Sequence, residues 1–446
     1  MVHRSRCISV CVFTFSLLLL AAGANAQDWF RTGTGLGVEK PRVAAADFAA
    51  RADNAKSHSQ LFTQVVRDDL QFSGILDLVS PSFYPVQVPS TPPELHNTDW
   101  TTPQVNANLV AFGNLTESSE VVISGWAYDV RSATAQAVVG KVYRGAPTDA
   151  QVRKFAHQFA DEIISRLSGG LPGIASTQIA FVSSRTGTKE IWIMDYDGAN
   201  QHPLTSLHTI SLTPRWSPDA SRIAFTCFVP GPTGVVSPQI CMYSVDANKV
   251  VSFPRFRGSN SAPAWSPDGS QIMFSSSMLG NPELFVTDTS GGRPKRVTFS
   301  SAASTSPTWN PKTGQSVVFV SDRGGIPKLY MMNVDGTNTT ELDLPDKGYL
   351  IDPAWSPNGQ MVAFSWRRPD GNFDIYIMEP TSREIRQITR DSGKNERPSW
   401  APDGRHIVFE STRNGARQIW TMLADGSQAH QLTMNGHNES PNWSPK

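Results

Sequence analysis

A chain of 446 residues is longer than one hydrophobic core usually serves, so its length predicts two domains. With 39% hydrophobic and 17% charged residues the composition is that of a globular protein, and the 33 Gly and 32 Pro favour β-structure with many turns. The formal net charge is zero and no run of Lys or Arg occurs, which argues against a nucleic-acid partner.

The first 26 residues have the parts of a secretory signal. A basic start at 3–6 precedes an apolar segment at 7–22, and small residues follow it. Cleavage is predicted between Ala26 and Gln27, which leaves an exported, soluble chain. The alternative is a membrane-anchoring helix, which the short apolar segment disfavours. No Cys follows the cleavage site to carry a lipid anchor.

Residues 27–40 are rich in glycine, lack periodicity and are predicted to form a flexible or extended arm. An α/β domain is predicted over 41–170. Its predicted strands lie at 42–48, 75–79, 109–112, 120–129 and 135–143, and its helices at 57–72 and about 149–167. Thr148 is the predicted N-cap of the second helix, Gly169 and Gly170 end it, and 171–178 is a linker into the second domain.

Six Pro-x-Trp segments then recur at intervals of 49, 44, 46, 45 and 43 residues, about the length of one four-stranded propeller blade. Four of them continue into Ser-Pro-Asp-Gly or a one-residue variant of it, at 217–220, 266–269, 356–359 and 401–404. This is a type I turn sequence, and short β-branched and aromatic runs and an ending in Leu-Thr, Val-Thr or Ile-Thr follow it. The six tryptophans are Trp216, Trp265, Trp309, Trp355, Trp400 and Trp443. One tryptophan per blade favours packing between blades over a binding role.

The order of these segments predicts how the ring closes. Strand sequences begin at Ile179 with no Pro-x-Trp before them, whereas the chain ends on a solitary Pro441-Asn-Trp443. The fold prediction is therefore an α/β N-terminal domain followed by an all-β six-bladed β-propeller over 179–446, closed by a C-terminal strand that completes the first blade. Cys227 and Cys241 remain in the mature chain, and either a disulfide or two packed small side chains fits them.

No catalytic pattern accompanies this architecture. The G-x-S-x-G elbow of propeller-linked peptidases, H-E-x-x-H, C-x-x-C and phosphate-binding glycine loops are all missing from the sequence, so no enzyme, metal or cofactor is predicted. A hydrolase or lyase site assembled across blades is the alternative. The loops before each Pro-x-Trp strand gather around the channel mouth and are predicted to form either a docking surface or solvated connections. They are 206–213, 258–262, 302–306, 347–352, 395–397 and 437–440.

The passage from Ala156 through Leu167-Ser-Gly169 to Ile179-Ala-Phe-Val182 resembles the TolB family, the periplasmic propeller proteins of the Tol–Pal system. The Ser-Pro-Asp-Gly repeats, Asp195-Tyr-Asp-Gly198 and Phe253-Pro-Arg255 agree with it across the mature chain. The resemblance implies a periplasmic, monomeric, non-enzymatic protein without cofactor. It implies that the protein binds the lipoprotein Pal and the inner-membrane protein TolA, associates with the envelope only through them, and supports outer-membrane integrity, cell division and protein import.

The resemblance also assigns positions. It implies Pal binding at Ser259, Asn260, Ser261 and Ala262 and at Thr305 and Ser306, although several side chains differ from those usual in the family. The acidic residues of the same face, Asp352, Glu396 and Glu439, are included in the predicted surface. It implies TolA binding by the arm, with Gln27, Asp28, Trp29, Phe30 and Arg31 as the predicted contacts.

Overall fold

The computed structural model of the chain describes residues 40–132, 136–344, 348–390 and 392–446. The predicted signal, its cleavage site and the arm residues Gln27, Asp28, Trp29, Phe30 and Arg31 lie outside the described residues. Among the described residues, no helix is both long and apolar enough to cross a membrane.

The N-terminal domain is built on one mixed sheet of order β3-β1-β4-β5-β6, with β2 beside β4. Its parallel part joins β1 to β3 and β4, and β4, β5 and β6 form an antiparallel meander. The strands are β1 (Arg42–Ala45), β2 (Ala49–Ala50), β3 (Asp77–Leu78), β4 (Leu109–Glu117), β5 (Val121–Asp129) and β6 (Gln136–Gly145). The sheet places the three long strands where sequence patterns predicted them.

The first predicted strand, 42–48, ends early at Ala45 for a local reason. The backbone of Phe48 bonds to side chains of the first helix: its amide donates to Thr63 Oγ1 at 3.0 Å, and its carbonyl accepts from the Ser59 hydroxyl. The backbone N–H and C=O of Phe48 are thus satisfied by side chains of the helix and do not extend the hydrogen bonds between strands.

Two long helices cover one face of the sheet, α1 (Lys56–Phe72) and α3 (Asp149–Leu167), and a short α2 (Asn97–Trp100) lies in the proline-rich connection. The predicted cap is present, since Thr148 Oγ1 accepts from the Gln151 amide at 3.3 Å. Gly169 and Gly170 have φ of 70° and 97°, a conformation that glycine adopts without steric cost and that ends the helix. Phe62 and Phe159 are fully buried between helices and sheet.

The second domain is a ring of six four-stranded antiparallel sheets. The first blade contains β30 (Asn438–Trp443), β7 (Gln178–Ser183), β8 (Glu190–Asp195) and β9 (His202–Pro203). The second contains β10 (Ser211–Trp216), β11 (Arg222–Pro230), β12 (Val236–Ser244) and β13 (Lys249–Val251), and the third β14 (Asn260–Trp265), β15 (Gln271–Ser276), β16 (Glu283–Asp288) and β17 (Lys295–Arg296). The fourth contains β18 (Ser304–Trp309), β19 (Ser316–Ser321), β20 (Lys328–Asn333) and β21 (Thr340–Glu341). The fifth contains β22 (Leu350–Trp355), β23 (Val362–Arg367), β24 (Phe373–Met378) and β25 (Ile385–Gln387), and the sixth β26 (Asn395–Trp400), β27 (His406–Ser411), β28 (Gln418–Leu423) and β29 (His430–Gln431).

The seam closes as the order of the repeats predicted. The C-terminal strand β30 pairs antiparallel with β7, with Asn438 opposite Ser183 and Trp443 opposite Ile179. Trp443 is 3% exposed, and its indole donates to Thr177 Oγ1 at 2.7 Å. The end of the chain therefore completes the first blade.

A threonine that recurs after the outer strand of four blades has a structural role. In the first blade the Ile191 amide donates to Thr205 Oγ1 at 2.9 Å, and the Thr205 hydroxyl donates to Glu190 at 2.5 Å. The same pair of bonds joins Thr298 to Glu283, Thr389 to Asp374 and Thr433 to Gln418. In the first, third, fifth and sixth blades the threonine thus satisfies buried polar groups that would otherwise be destabilising.

The repeated tryptophans join neighbouring blades, as predicted. The Trp265 indole donates to the Arg215 carbonyl of the preceding blade at 3.0 Å, and the Trp400 indole to the Ala354 carbonyl at 3.1 Å. Within the second blade, Cys227 and Cys241 are disulfide-bonded, with their Cα atoms 5.9 Å apart.

The N-terminal domain packs against the first and sixth blades through the end of α1. The Phe72 ring stacks on His406 at 4.8 Å and meets Tyr196 edge-on at 5.1 Å, and His406 Nε2 donates to the Phe72 carbonyl at 3.0 Å. Beside them Asp69, 2% exposed, accepts from the Tyr196 hydroxyl at 2.5 Å and contacts His157 Nδ1 at 2.8 Å. This interface uses the turn after the inner strand of the sixth blade and the hairpin between the third and fourth strands of the first blade, so the contacts between the domains in the described part of the chain lie at one end of the ring.

Candidate docking face of the propeller

The antiparallel order of each blade divides its loops between two faces. The loops leading into the inner strands and the hairpins between the second and third strands lie together on what we call the mouth face. The Ser-Pro-Asp-Gly turns and the hairpins between the third and fourth strands lie on what we call the turn face. The N-terminal domain contacts the turn face through His406 and Tyr196. The mouth face is therefore the exposed end of the ring.

Exposed apolar side chains are concentrated on the mouth face. Of the eight large apolar side chains exposed in the described part of the propeller, seven lie on loops or hairpin tips of this face. They are Ile210, Val235, Val236, Leu279, Phe299, Ile326 and Met434, and the eighth, Val250, lies on an outer strand. Scattered exposed apolar residues are ordinary, but their restriction to one face indicates an interaction surface.

The channel mouth is shaped by one repeated backbone feature. In each inner strand the residue before proline has a φ between 49° and 54°, and the strand register shifts there. These residues are Thr213, Ala262, Ser306, Asp352, Arg397 and Ser440. Together with the prolines that follow and with Arg215 they line a cavity of about 40 Å³. A β-bulge of this kind redirects a side chain and is common beside functional sites, although its sixfold repetition also makes it part of the architecture.

The predicted Pal-binding positions lie on the mouth face but differ in accessibility. Ser259 is exposed, whereas Ser261, Ala262, Thr305 and Ser306 are half-buried along the channel wall. The three predicted acidic positions are half-buried as well, and they lie in the fifth, sixth and first blades: Asp352, Glu396 and Glu439. The structure thus brings the predicted residues together around one opening.

Asn260 requires a correction. Its side chain is 0% exposed; its amide donates to the Phe256 and Gly258 carbonyls, both at 3.1 Å, and its Oδ1 accepts from the Ser276 hydroxyl at 2.6 Å. The side chain cannot contact a partner directly. It holds the loop that presents Ser259, because it bonds to two carbonyls of that loop.

A charged network makes the mouth asymmetric. The Arg417 guanidinium lies 3.1 Å from both Glu410 and Glu439 and 3.5 Å from Glu396. Arg397 lies 3.4 Å from Glu410 and donates to the Ser440 hydroxyl at 2.6 Å. The matching wall positions of the second, third and fourth blades are uncharged. At the positions just before the prolines, the channel wall therefore has a charged half, in the fifth, sixth and first blades, and a neutral half, while Arg215 lies farther along the channel.

Burial sets the protonation of this network. Burial raises the pKa of Glu410 to about 7, and the nearby guanidinium groups of Arg397 and Arg417 offset it only in part. The pKa of Glu439 is lowered overall. Burial acts to raise it, but the hydrogen bond from Lys189 and the charges of the two arginines outweigh burial. Burial lowers the pKa of Arg215 in the channel to about 10. Glu410 and Glu439 are both paired with arginines. Among the described residues there is no cluster of three or more Asp, Glu, His or Cys side chains that could hold a metal ion.

Sequence reasoning missed two parts of this face. The apolar residues Leu279 and Phe299 fall in loops without periodicity, and only the fold shows that they share a face. Glu410 and Arg417 occupy ordinary positions of the sixth blade, and their link to Glu439 closes across the seam. The wider spacing of 49 residues between Trp216 and Trp265 was the available signal for the longer hairpin in the second blade.

Comparison with known proteins covers both domains. A family model described as the TolB amino-terminal domain matches residues 34–136, and one described as the TolB beta propeller domain matches residues 166–350 and 344–446. The Tol-Pal system protein TolB of Bordetella pertussis is 31% identical over 440 residues, which covers 96% of this chain and 94% of that protein. A protein TolB homolog of Chlorobium chlorochromatii is 34% identical over 58% of this chain and 56% of its own length.

Among solved structures, the crystal structure of TolB from Acinetobacter baumannii covers 92% of this chain and 97% of its own, with a TM-score of 0.76 and 24% identity. This likeness supports the fold: a small α/β domain followed by a six-bladed propeller.

Proposed function

Because the chain belongs to the TolB family of Tol–Pal system proteins, a family of envelope proteins rather than enzymes, we propose that it is a periplasmic docking protein that binds Pal through the mouth face. The observation that carries this proposal is the concentration of exposed apolar side chains on the face opposite the N-terminal domain. The secretory signal in the sequence supports the compartment.

The predicted contacts are revised by the geometry. Ser259 and the half-buried Ser261, Ala262, Thr305 and Ser306 form the neutral wall, and Asp352, Glu396 and Glu439 belong to the charged half. Exposed apolar side chains can act as the anchors that supply affinity in a protein interface, and charged groups can fix its register. The alternative of a secreted hydrolase or lyase gains no support from the mouth, because its carboxylates are paired with arginines.

We propose that the arm around Gln27, Asp28, Trp29, Phe30 and Arg31 binds TolA. In sequence the arm leads into the N-terminal domain, whereas the mouth face belongs to the propeller. One chain would then bind two partners at once and link outer-membrane Pal to the inner membrane, in support of envelope integrity and cell division. Deleting 27–37 should abolish TolA binding; a change in Pal affinity as well would show that the two sites are coupled, and unchanged Pal affinity would exclude that coupling.

The docking proposal is tested by blocking each face in turn. Ser259→Trp places a bulky ring on the mouth face, and the matched control Gln315→Trp places one at an exposed position of the turn face. Calorimetric titration with the soluble domain of Pal should show at least a tenfold loss of affinity for Ser259→Trp and none for Gln315→Trp. Equal affinities for both variants would move the Pal site off the mouth face.

A further inference from the structure

The hairpin between β11 and β12 rises above the rest of the mouth face. Both strands have nine residues, whereas the second and third strands of every other blade have six. The three additional pairs, Phe228 with Pro238, Val229 with Ser237 and Pro230 with Val236, all lie at the mouth end. At the usual rise per residue they extend the hairpin by roughly 10 Å.

The projecting part is exposed and has no charge. The segment 228–238 contains no ionisable residue, and Val235 and Val236 at its tip are 66% and 61% exposed. At the tip of the hairpin, Val235 and Val236 are not buried against any other part of the described chain. Their apolar character therefore does not stabilise the blade.

The projection is nevertheless held rigidly. Its base is crossed by the Cys227–Cys241 disulfide, and Cys227 occupies the last position of an ordinary six-residue blade strand. An isolated two-stranded hairpin is marginally stable in water, so the cross-link stands where the hairpin leaves the packed blade. Val229 at the base still packs against the core of the blade, and the disulfide adds a cross-link below the exposed tip.

The hairpin is also continuous with the predicted Pal-binding loops. The Arg255 guanidinium donates to the Pro230 carbonyl at 2.6 Å, and the Gln239 amide donates to the Gly258 carbonyl at 3.0 Å. On its other side the Phe228 amide donates to the Ile210 carbonyl at 3.0 Å. Mouth loops of the second and third blades therefore brace it from both sides.

We propose that this disulfide-braced hairpin is a wall of the Pal-binding surface, whose tip valines insert into an apolar depression of Pal. This inference rests on the proposed function, because the occupant is the partner assigned to the mouth face. A rigid apolar projection is suited to binding Pal for two reasons. An ordered loop loses little conformational entropy on binding, and an apolar anchor that enters a pocket supplies much of the affinity. The disulfide is assigned a positioning role.

The test uses the mature chain and the soluble domain of Pal from the same organism. Val235→Ser/Val236→Ser should weaken binding about tenfold, mainly through faster dissociation, as removal of an interface anchor does. The control Val250→Ser changes an exposed valine on the outer strand of the same blade and should leave affinity unchanged. Cys227→Ser/Cys241→Ser should weaken binding about threefold by loosening the hairpin.

The outcomes are distinguishable. If the wild-type chain binds Pal and the tip variant binds within twofold of it, the hairpin proposal is wrong while the proposed function stands. If the wild-type chain does not bind Pal, the proposed function fails and the hairpin proposal fails with it. If the tip variant only converts a dimer to a monomer in light scattering, the occupant is a second copy of the chain. Because the valines are exposed, an unchanged melting temperature confirms that the variant is folded; a shorter hairpin lacking 229–237 provides a second variant.

Discussion

Removing the last strand tests the closed ring. Truncation of 441–446 deletes Trp443, which is 3% exposed and packs with Ile179 and Phe181 at the start of the first blade. Replacing a buried Trp by Ala costs about 3–5 kcal/mol of unfolding free energy. At roughly 2–4 °C per kcal/mol for domains of this kind, Trp443→Ala alone should lower the melting temperature by roughly 10 °C.

The truncation should cost more than the single substitution. It also breaks the Ser444 amide bond to the Gln178 carbonyl at 2.8 Å and leaves the half of β7 at Ile179 and Ala180 without its partner strand. The control within the same segment is Lys446→Ala, whose 41% exposed ammonium lies 3.2 Å from Asp161 and contributes at most about 1 kcal/mol. Circular dichroism melts and urea titrations of the four proteins give the comparison. A truncated chain that melts with the wild type would refute closure by β30.

Three further predictions follow from buried groups. Asn260→Ala should lower stability by about 1–3 kcal/mol, because it removes the donor to the Phe256 carbonyl, one of two donors to the Gly258 carbonyl, and the acceptor of the Ser276 hydroxyl; a melting temperature equal to wild type would contradict this account. Phe72→Ala should loosen the domain interface and increase the rate at which a protease cuts the 171–178 linker. Equal digestion rates for the variant and the wild type would show that the stack on His406 does not hold the domains together. Burial raises the pKa of Asp69 to about 6, against 3.8 in the unfolded chain. The folded state therefore binds more protons than the unfolded state between these pH values, so stability falls as pH rises from 3.8 to about 6. Asp69→Asn should remove that decline, and parallel profiles of stability against pH for the variant and the wild type would contradict the assignment.

The sequence predicted the fold because its signals are local and repeated. Each Pro-x-Trp strand and each turn could be recognised from a few neighbouring residues, and counting them placed β30 in the first blade. The two helices followed from their periodicity and from the Thr148 cap. Where the first strand ended early, the cause was the bonding of Phe48 to Ser59 and Thr63, which a pattern of hydrophobic residues does not reveal.

The site was less predictable because it depends on distant residues. Asn260 looked like an exposed loop residue, but Ser276 and the Phe256 carbonyl draw its side chain inward. In the charged half of the mouth, Lys189 pairs with Glu439 where the two ends of the propeller meet. The two residues are far apart in the sequence, so sequence spacing does not predict this ion pair. The family resemblance predicts a partner surface on the mouth loops, and that surface stays a prediction; the structure adds which of these side chains are exposed and which are buried.

The central claim is that Pal binds the mouth face. Hydrogen–deuterium exchange of the mature chain with and without Pal measures this directly, because amides at an interface exchange more slowly in the complex. The account predicts protection of the mouth loops at 252–262 and 299–306 and of the 228–238 hairpin, with no change in the Ser-Pro-Asp-Gly turns. Protection confined to those turns or to the N-terminal domain would contradict it.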